Sequence, residues 1–369
     1  MESNMANYLS QKEIDTIKQR NFFDKGDLGK NPHVKSKLMW GNYLKSAPLV
    51  SVIIPTYKRT DSLSYSIKSV IAQKDFDNFQ IVIVDNNPDN YNEKAEVYRI
   101  IEQINCKKVL YYCNEKNLGP MGNWNRAIEL ANTEWICMIH DDDIMHPLHL
   151  KNMVALIKTC SSDVDAIACR YKIIRNDIEI EQFVKGERKQ NTNCKRITVN
   201  DMLYSFVAPL LGCLIKKKLI VSLGGFNDHS TLCEDYIFMT MCSYYGKLYI
   251  TRLALYGYKM CGQNGSCDIG LWDGIIISQF YFRDCLISKL RKGKFANLKN
   301  EYCAIKQMDN YNSSNPLIGT FTNMQIDENN VMLQCNIPRY HVVIFKFCLS
   351  IKNLVIIFLK RVKYWRKKG

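Results

Sequence analysis

From Leu49 onward the chain alternates short apolar runs with stretches of helical spacing. Leu49–Pro55 (LVSVIIP), Gln80–Val84 (QIVIV), Val109–Cys113 and Trp135–Ile139 (WICMI) are unbroken apolar runs of strand length, and Asp165–Ile174 fits a fifth strand. Runs of this kind are buried on both faces. Between them, Asp61–Gln73, Glu93–Ile104, Pro120–Ala131 and Pro147–Thr159 read as helices. In the third, Met121, Trp124, Ile128 and Ala131 recur on one side, and the fourth has proline in its first turn, where the missing N–H is harmless. Strand and helix in alternation predict βαβ units and an α/β fold whose central sheet is mostly parallel, with helices on both faces.

The flanks differ in texture. Residues 1–46 are polar, with Lys/Asp/Asn/Gly clusters around Asp24–Lys37 and a helix near Gln11–Arg20, and are read as an N-terminal extension. A further apolar-periodic stretch, Tyr236–Tyr245, follows the turn Gly224-Gly225-Phe226-Asn227-Asp228. Within residues 267–340 only Ile275–Leu290 has helical character, and this region is read as acceptor-related.

Parallel sheets bind ligands beyond the carboxyl ends of their strands, so the polar residues that follow each strand are the place to look for chemistry. They are Thr56-Tyr57-Lys58-Arg59, Asp85-Asn86-Asn87, Asn114 to Asn117, and His140-Asp141-Asp142-Asp143. Three adjacent carboxylates directly after a buried strand repel one another unless a cation or hydrogen-bond donors compensate. Hard divalent ions such as Mg²⁺ or Mn²⁺ take such oxygens together with substrate phosphates. The plain alternative is a helix start, since Asp favours helix N-termini and Pro147 follows. Asp85 either receives hydrogen bonds from a base or ribose or belongs to a D-N-N-P turn. Glu234-Asp235 either partners a helix dipole or supplies a general base. His146 and His149 lack further ligands at zinc spacing and are read as packing residues. Neither a G-x-x-x-x-G-K-[ST] phosphate loop nor a G-x-G-x-x-G fingerprint is present.

In order and spacing, VSVIIPTYKR (Val50–Arg59), IVIVDNN (Ile81–Asn87), NLGPMGNWNRAIELA (Asn117–Ala131), WICMIHDDD (Trp135–Asp143), LGGFND (Leu223–Asp228) and EDYIF (Glu234–Phe238) resemble the family 2 glycosyltransferases. These are inverting enzymes of the GT-A fold. The resemblance runs from about Leu49 to Ser266 and sets the expected boundaries: extension 1–46, GT-A domain 47–266, C-terminal region 267–340, tail 341–369. It implies that Pro55, Thr56, Tyr57 and Arg59 line the nucleotide pocket, with Asp85 at the base and Gly119 and Asn123 near ribose and diphosphate. Asp143 becomes the expected metal ligand, Asp141 a donor contact that also flanks the metal, and Asp142 a further donor-side residue. Asp235 becomes the catalytic base with Glu234 beside it, in a single displacement assisted by Mg²⁺ or Mn²⁺. The expected donor is a UDP-sugar and the expected acceptor a glycan precursor, lipid-linked or at the cell surface. One departure stands out: relatives carry Y-R-x-H-G-x-N-x-S, whereas Tyr258–Ser266 places Cys261 at the histidine position, and a thiol suits a hard ion poorly. The Q-x-x-R-W signature of processive synthases is missing, which favours a non-processive transferase. Two rivals remain, a nucleotidyltransferase and a non-catalytic relative.

Composition changes this picture at one end. The 369-residue chain carries a formal charge of +14, but His341–Gly369 holds eight basic residues and no acidic one, so without it the charge is +6. Within that tail Val342–Leu359 is apolar but interrupted by Lys346, Lys352 and Asn353. This suits a helix lying on anionic lipid better than a membrane span of about 20 apolar residues. A nucleic-acid binder would interleave its basic and aromatic residues across a domain, so no nucleic-acid partner is expected. Fifteen cysteines without a C-x-x-C pair, and a polar N-terminus, point to free thiols and a cytoplasmic protein on the inner face of the membrane.

Overall fold

The computed structural model describes residues 10–44, 46–160, 163–186, 193–227, 233–260 and 272–312, and near the C-terminus 331–332, 334–347 and 349. Its strands are β1 (Ser36–Trp40), β2 (Val50–Thr56), β3 (Phe79–Asp85), β4 (Val109–Asn114), β5 (Trp135–Met138), β6 (Ile144–Met145), β7 (Ala166–Ile174), β8 (Cys194–Ile197), β9 (Leu214–Lys216) and β10 (Leu248–Lys259). Its helices are α1 (Gln11–Gln19), α2 (Thr60–Ile71), α3 (Glu96–Ile104), α4 (Gly119–Leu130), α5 (His149–Cys160), α6 (Asp177–Lys185), α7 (Val199–Met202), α8 (Lys217–Leu223), α9 (Glu234–Tyr245), α10 (Trp272–Lys289) and α11 (Lys294–Asn312).

Two compact units form. The larger comprises residues 23–228 and 234–261 and is built on one ten-stranded sheet in the order β1-β4-β3-β2-β5-β9-β7-β10-β6, with β8 also pairing β10. The long ladders are parallel: β4 on β3, β3 on β2, β2 on β5, and β7 on β10. Every residue of β2, β3, β4 and β5 is buried, as their unbroken apolar runs require. α2 buries Leu63, Ile67 and Val70, one helical face against the main core. Antiparallel pairings add β1 beside β4, and β9 between β5 and β7. β1 falls inside the stretch that sequence pattern assigns to an extension. It is a short edge strand with one buried residue, Met39, so alternation barely marks it.

The register positions the site. Thr56 pairs with Asp85, so β2 and β3 end side by side, while β5 pairs with β2 only as far as Ile53↔Met138. The chain leaving β5 therefore turns beside the last residues of β2. α4 then buries polar residues: Asn123, Asn125 and Arg126 join Ala127 and Ile128. Its Arg126 guanidinium donates to the Val34 and Asn31 carbonyls at 2.7 and 2.8 Å and to Ser36 Oγ at 2.6 Å, holding residues 31–36 in place.

The smaller unit comprises residues 1–22, 229–233 and 262–369. Its described core is helical: Ile276, Ile277 and Phe280 of α10 pack with Ala304, Ile305 and Met308 of α11 and with Val331, Cys335 and Ile337. α1 is closed by a reciprocal cap between Ser10 and Glu13 and buries Ile14 and Ile17. Residues 339–347 are helical.

One cysteine expectation is corrected. Cys160 at the end of α5 and Cys194 at the start of β8 are joined by a disulfide, because the sheet brings their Cα atoms to 6.2 Å. The other described cysteines are free thiols, most of them buried. No helix among the described residues is long and apolar enough to cross a membrane.

Candidate active site

The four polar clusters that follow β2, β3, β4 and β5 meet at one end of the sheet, and side-chain hydrogen bonds join them. Asp141 comes back to β2: Thr56 Oγ1 donates to its Oδ2 at 2.7 Å, and the Tyr57 backbone N–H also donates to it. Asp142 is paired with the Arg59 guanidinium. Asp143 is fully buried and receives the Tyr256 hydroxyl of β10 and, at 2.8 Å, the Lys259 backbone N–H. Its own carbonyl accepts from Ser66 Oγ of α2 at 2.8 Å. His140 completes the turn, with Nδ1 3.8 Å from Asp143 Oδ2.

Electrostatics follow from this crowding. Burial pushes the Asp141 carboxyl up to about 6 against the Thr56 bond, and pushes Asp143 up to about 8 with the Asp142 charge adding to it. His140, Asp142 and Asp143 each offer a ligand atom within 4.8 Å of the others, the one such metal-type group among the described residues. Asp141 stands outside that group. Two carboxylates and an imidazole, with the Asp143 carboxyl driven toward its protonated form, fit a divalent cation whose charge would reverse that drive.

Asp85 is equally occupied. Its oxygens accept from the Asn87 N–H at 2.9 Å, Asn90 Nδ2 at 2.7 Å and Tyr111 Oη at 3.1 Å, while burial raises its pKa. Asn123 donates to the Val84 carbonyl at 3.0 Å and accepts from Asn114 Nδ2 at 3.0 Å, so it ties α4 to the ends of β3 and β4. Gly119 has a φ of +71°, donates its N–H to Asn117 Oδ1 at 2.8 Å, and accepts from Asn86 Nδ2 at 3.1 Å. Pro55 is buried in β2, whereas Tyr57 is 43% exposed and available to a ligand. Lys58 adopts a left-handed φ of +54°, rare for a residue with a side chain and typical of ligand loops.

Glu234 and Asp235 open α9. Glu234 is buried and accepts the Asn227 N–H at 3.4 Å; Asp235 is partly exposed and accepts the Tyr236 N–H at 2.7 Å. Burial, with the neighbouring Glu234 charge, pushes Asp235 up to about 6. An aromatic relay joins this helix to the acidic turn: His140 lies 5.6 Å from Trp124, Trp124 5.1 Å from Phe226, and Phe226 4.4 Å from Phe238, one turn beyond Asp235. Sequence pattern missed Tyr256 and Trp124 as site residues, since each reads as an ordinary core aromatic. His146 and His149 are packing residues: the His146 ring bonds the Gly186 carbonyl and the Leu148 N–H, and His149 the Leu255 carbonyl. Cys261 and Gly262–Ser266 lie outside the described residues.

Residues 51–209 match the glycosyl transferase family 2. That match covers less than half of the chain. It is 25% identical to the Escherichia coli glycosyl transferase WcaA, assigned to colanic acid biosynthesis, over 209 residues covering 55% of this chain and 70% of that one. It is also 24% identical to the Escherichia coli UDP-Glc:α-D-GlcNAc-diphosphoundecaprenol β-1,3-glucosyltransferase WfgD, over 45% of this chain and 58% of that one. A 97-residue stretch is 33% identical to a Campylobacter jejuni β-1,3-glucosyltransferase named for a diphosphoundecaprenol-linked acceptor, covering 26% and 30% of the two chains. Among solved structures, S. aureus TarS with UDP-GlcNAc shares the fold, at a TM-score of 0.53 and 17% identity over 78% of this chain and 79% of that one. The protein thus has the GT-A architecture and is a glycosyltransferase, similar over residues 51–209 to family 2.

Proposed function

We propose that this glycosyltransferase moves a sugar from a UDP-sugar to a hydroxyl of a lipid-linked or cell-surface glycan precursor, with inversion, in one displacement assisted by Mg²⁺ or Mn²⁺. The observation that carries the reading is the acidic turn at the end of β5, whose three carboxylates are divided among three kinds of partner, with Asp141 and Asp143 raised by burial. Asp142 and Asp143 face the metal, while Asp141 and Thr56 serve the donor ribose or sugar. Tyr57, Arg59 and Asp85 take the nucleotide, and the N-terminus of α4 at Gly119 suits the diphosphate. Asn123 holds the strand ends in register beneath them.

In the reaction Asp235 accepts the proton of the acceptor hydroxyl, and Glu234 positions the acceptor beside it. The oxygen forms its bond to the anomeric carbon as the bond from that carbon to the diphosphate oxygen breaks, and the nucleoside diphosphate leaves with the electron pair. A bound divalent ion supplies charge neutralisation on the departing diphosphate. Arg59 adds a second positive charge on that side. The names of two relatives include diphosphoundecaprenol acceptors, which supports the lipid-linked class.

The tail supports a peripheral membrane contact on the cytoplasmic face. In the helical residues 339–347, Tyr340, Val343, Ile344 and Phe347 recur at i, i+3, i+4 and i+7, and each is more than half exposed. Most of the basic tail lies outside the described residues. Sedimentation with anionic vesicles should fall when Ile344→Glu and Phe347→Glu are combined; unchanged sedimentation counts against the contact.

The donor reading is tested by thermal shift with a set of nucleoside-diphosphate sugars, with and without Mn²⁺. One donor should raise the melting temperature by a few degrees only when metal is present, and Asp143→Ala should remove that dependence. Absence of any donor response in the parent protein overturns the reading.

A further inference from the structure

We infer that His140 is itself a ligand of the divalent metal through a ring nitrogen, and that it biases the site toward Mn²⁺ and later first-row ions over Mg²⁺. This rests on the metal-assisted reading above and deepens it.

The geometry comes first. Around an octahedral ion with ligands at about 2.1 Å, neighbouring donor atoms lie about 3 Å apart and opposite ones about 4 Å. The donor atoms of His140, Asp142 and Asp143 already fall within 4.8 Å of one another, so adjustments of about an ångström close the set. The ion pair that now satisfies Asp142 involves Arg59, whose side chain is partly exposed and can turn to a donor diphosphate as the cation replaces it.

The second observation is the state of the imidazole. The side chain is about one-third exposed, but its Nε2 is buried with no hydrogen-bond partner among the described residues, while Nδ1 lies 3.8 Å from Asp143 Oδ2, too far for a direct hydrogen bond. A buried, unsatisfied ring nitrogen is costly and calls for a specific reason. The neighbouring His146 and His149 show the contrast, since both bond protein carbonyls as packing histidines do. Trp124 braces the His140 ring and is itself braced by Phe226, so the orientation is imposed by packing.

The chemistry then sets the preference. Mg²⁺ takes oxygen ligands almost exclusively, whereas imidazole suits transition ions and its affinity for them rises along the first row. Replacing one oxygen ligand of an acidic set by imidazole also lowers the negative charge by one, weakening the purely electrostatic attraction on which Mg²⁺ depends.

The test uses the full chain with UDP and Mn²⁺ and pulsed electron paramagnetic resonance. Protein grown with ¹⁴N histidine should show a directly coordinated nitrogen coupling to Mn²⁺, and growth with ¹⁵N histidine should replace it by the ¹⁵N signature. His140→Asp should still bind Mn²⁺, without that coupling, and its ratio of Mn²⁺ to Mg²⁺ affinity by calorimetry should fall about tenfold, equal to about 1.4 kcal/mol. Mn²⁺ bound with no histidine coupling in the parent protein overturns the assignment and leaves the metal-assisted reading standing. No Mn²⁺ bound in the presence of UDP overturns both.

Discussion

Asn114 is the residue whose loss should be most informative about how the site is held. It is fully buried at the end of β4. Its Nδ2 donates to Asn86 Oδ1 at 3.1 Å and to Asn123 Oδ1 at 3.0 Å, and its Oδ1 accepts from Ser36 Oγ at 2.6 Å. Asn114→Ala removes all three bonds, each worth about 0.5–1.5 kcal/mol net. The partners are not left equal. Asn86 Oδ1 keeps the Leu118 N–H at 2.9 Å and Ser36 Oγ keeps the Arg126 guanidinium, but Asn123 Oδ1 loses the donor described for it. One newly unsatisfied buried acceptor adds about 1–3 kcal/mol, so the expected loss is about 2.5–7.5 kcal/mol. Urea unfolding followed by tryptophan fluorescence reads this as a lower midpoint at unchanged slope. Asn114→Asp supplies an internal control. It keeps the acceptor for Ser36 but faces two amide oxygens with a carboxylate, so its folded-state pKa rises above the ordinary value. Its penalty is therefore absent below the unfolded pKa of about 4 and grows as pH rises. A loss below about 1 kcal/mol for Asn114→Ala, or a pH-independent Asn114→Asp, would refute the idea that this network fixes the strand ends.

Two further outcomes follow from residues near the chemistry. Asp235→Asn should lower the transfer rate by about 10²–10⁴-fold, the usual share of a general base, while the donor-dependent thermal shift is kept. Because burial pushes Asp235 up to about 6, the parent rate should fall as pH drops below about 6. A rate flat down to pH 5 would mean that another group is the base. Gly225→Ala should destabilise the larger unit by about 2–4 kcal/mol. Gly225 has a φ of +71°, and an added Cβ would lie 2.4 Å from Asn125 Oδ1, which accepts the Phe226 N–H and fixes the turn before α9. An unfolding midpoint within error of the parent's would sink that account.

How much of this was legible in the sequence depended on how each element is buried. β2, β3, β4 and β5 are covered on both faces, so their apolar runs place them within a residue or two. β9 has three residues and β10 mixes buried and exposed positions over twelve, so neither leaves a clean run or alternation. The polar clusters after the strands do meet at one end of the sheet, but their spacing could not say which side chains face a ligand. Asn114 and Asn123 are spent on each other and on groups at the strand ends, and Asn117 on Asn86 and the Gly119 N–H, a use that one-dimensional spacing cannot distinguish from donor binding. The Cys160–Cys194 bond was hidden for the same reason: 34 positions separate the two in sequence, and only the sheet brings them together. Cys261 and most of the basic tail lie outside the described residues.

The acidic turn itself shows why its three carboxylates should not be treated as interchangeable. Asp141 is satisfied by the Thr56 hydroxyl at the end of β2 and the Tyr57 backbone N–H just after it, so its position is tied to the loop that carries Tyr57 and Arg59. Asp143 is anchored by Tyr256 and Lys259 of β10 and is completely buried, so it is rigid. Asp142 alone is paired with a mobile type of side chain, a guanidinium on a long stem, which a diphosphate competes for directly. On the proposed donor reading an exchange is available: Arg59 would turn from carboxylate to diphosphate, and the charge left on Asp142 would hold a cation bound with that diphosphate. Such an exchange couples metal affinity to the nucleotide, and by reciprocity the nucleotide to the metal by the same factor. The coupling predicts that each ligand alone binds weakly and that Arg59→Lys, a poorer bidentate partner for diphosphate, weakens nucleotide binding more with metal present than without it. Calorimetry of UDP with and without Mn²⁺ on both proteins measures the two factors, and equal losses in both conditions would show that Arg59 and the metal act independently.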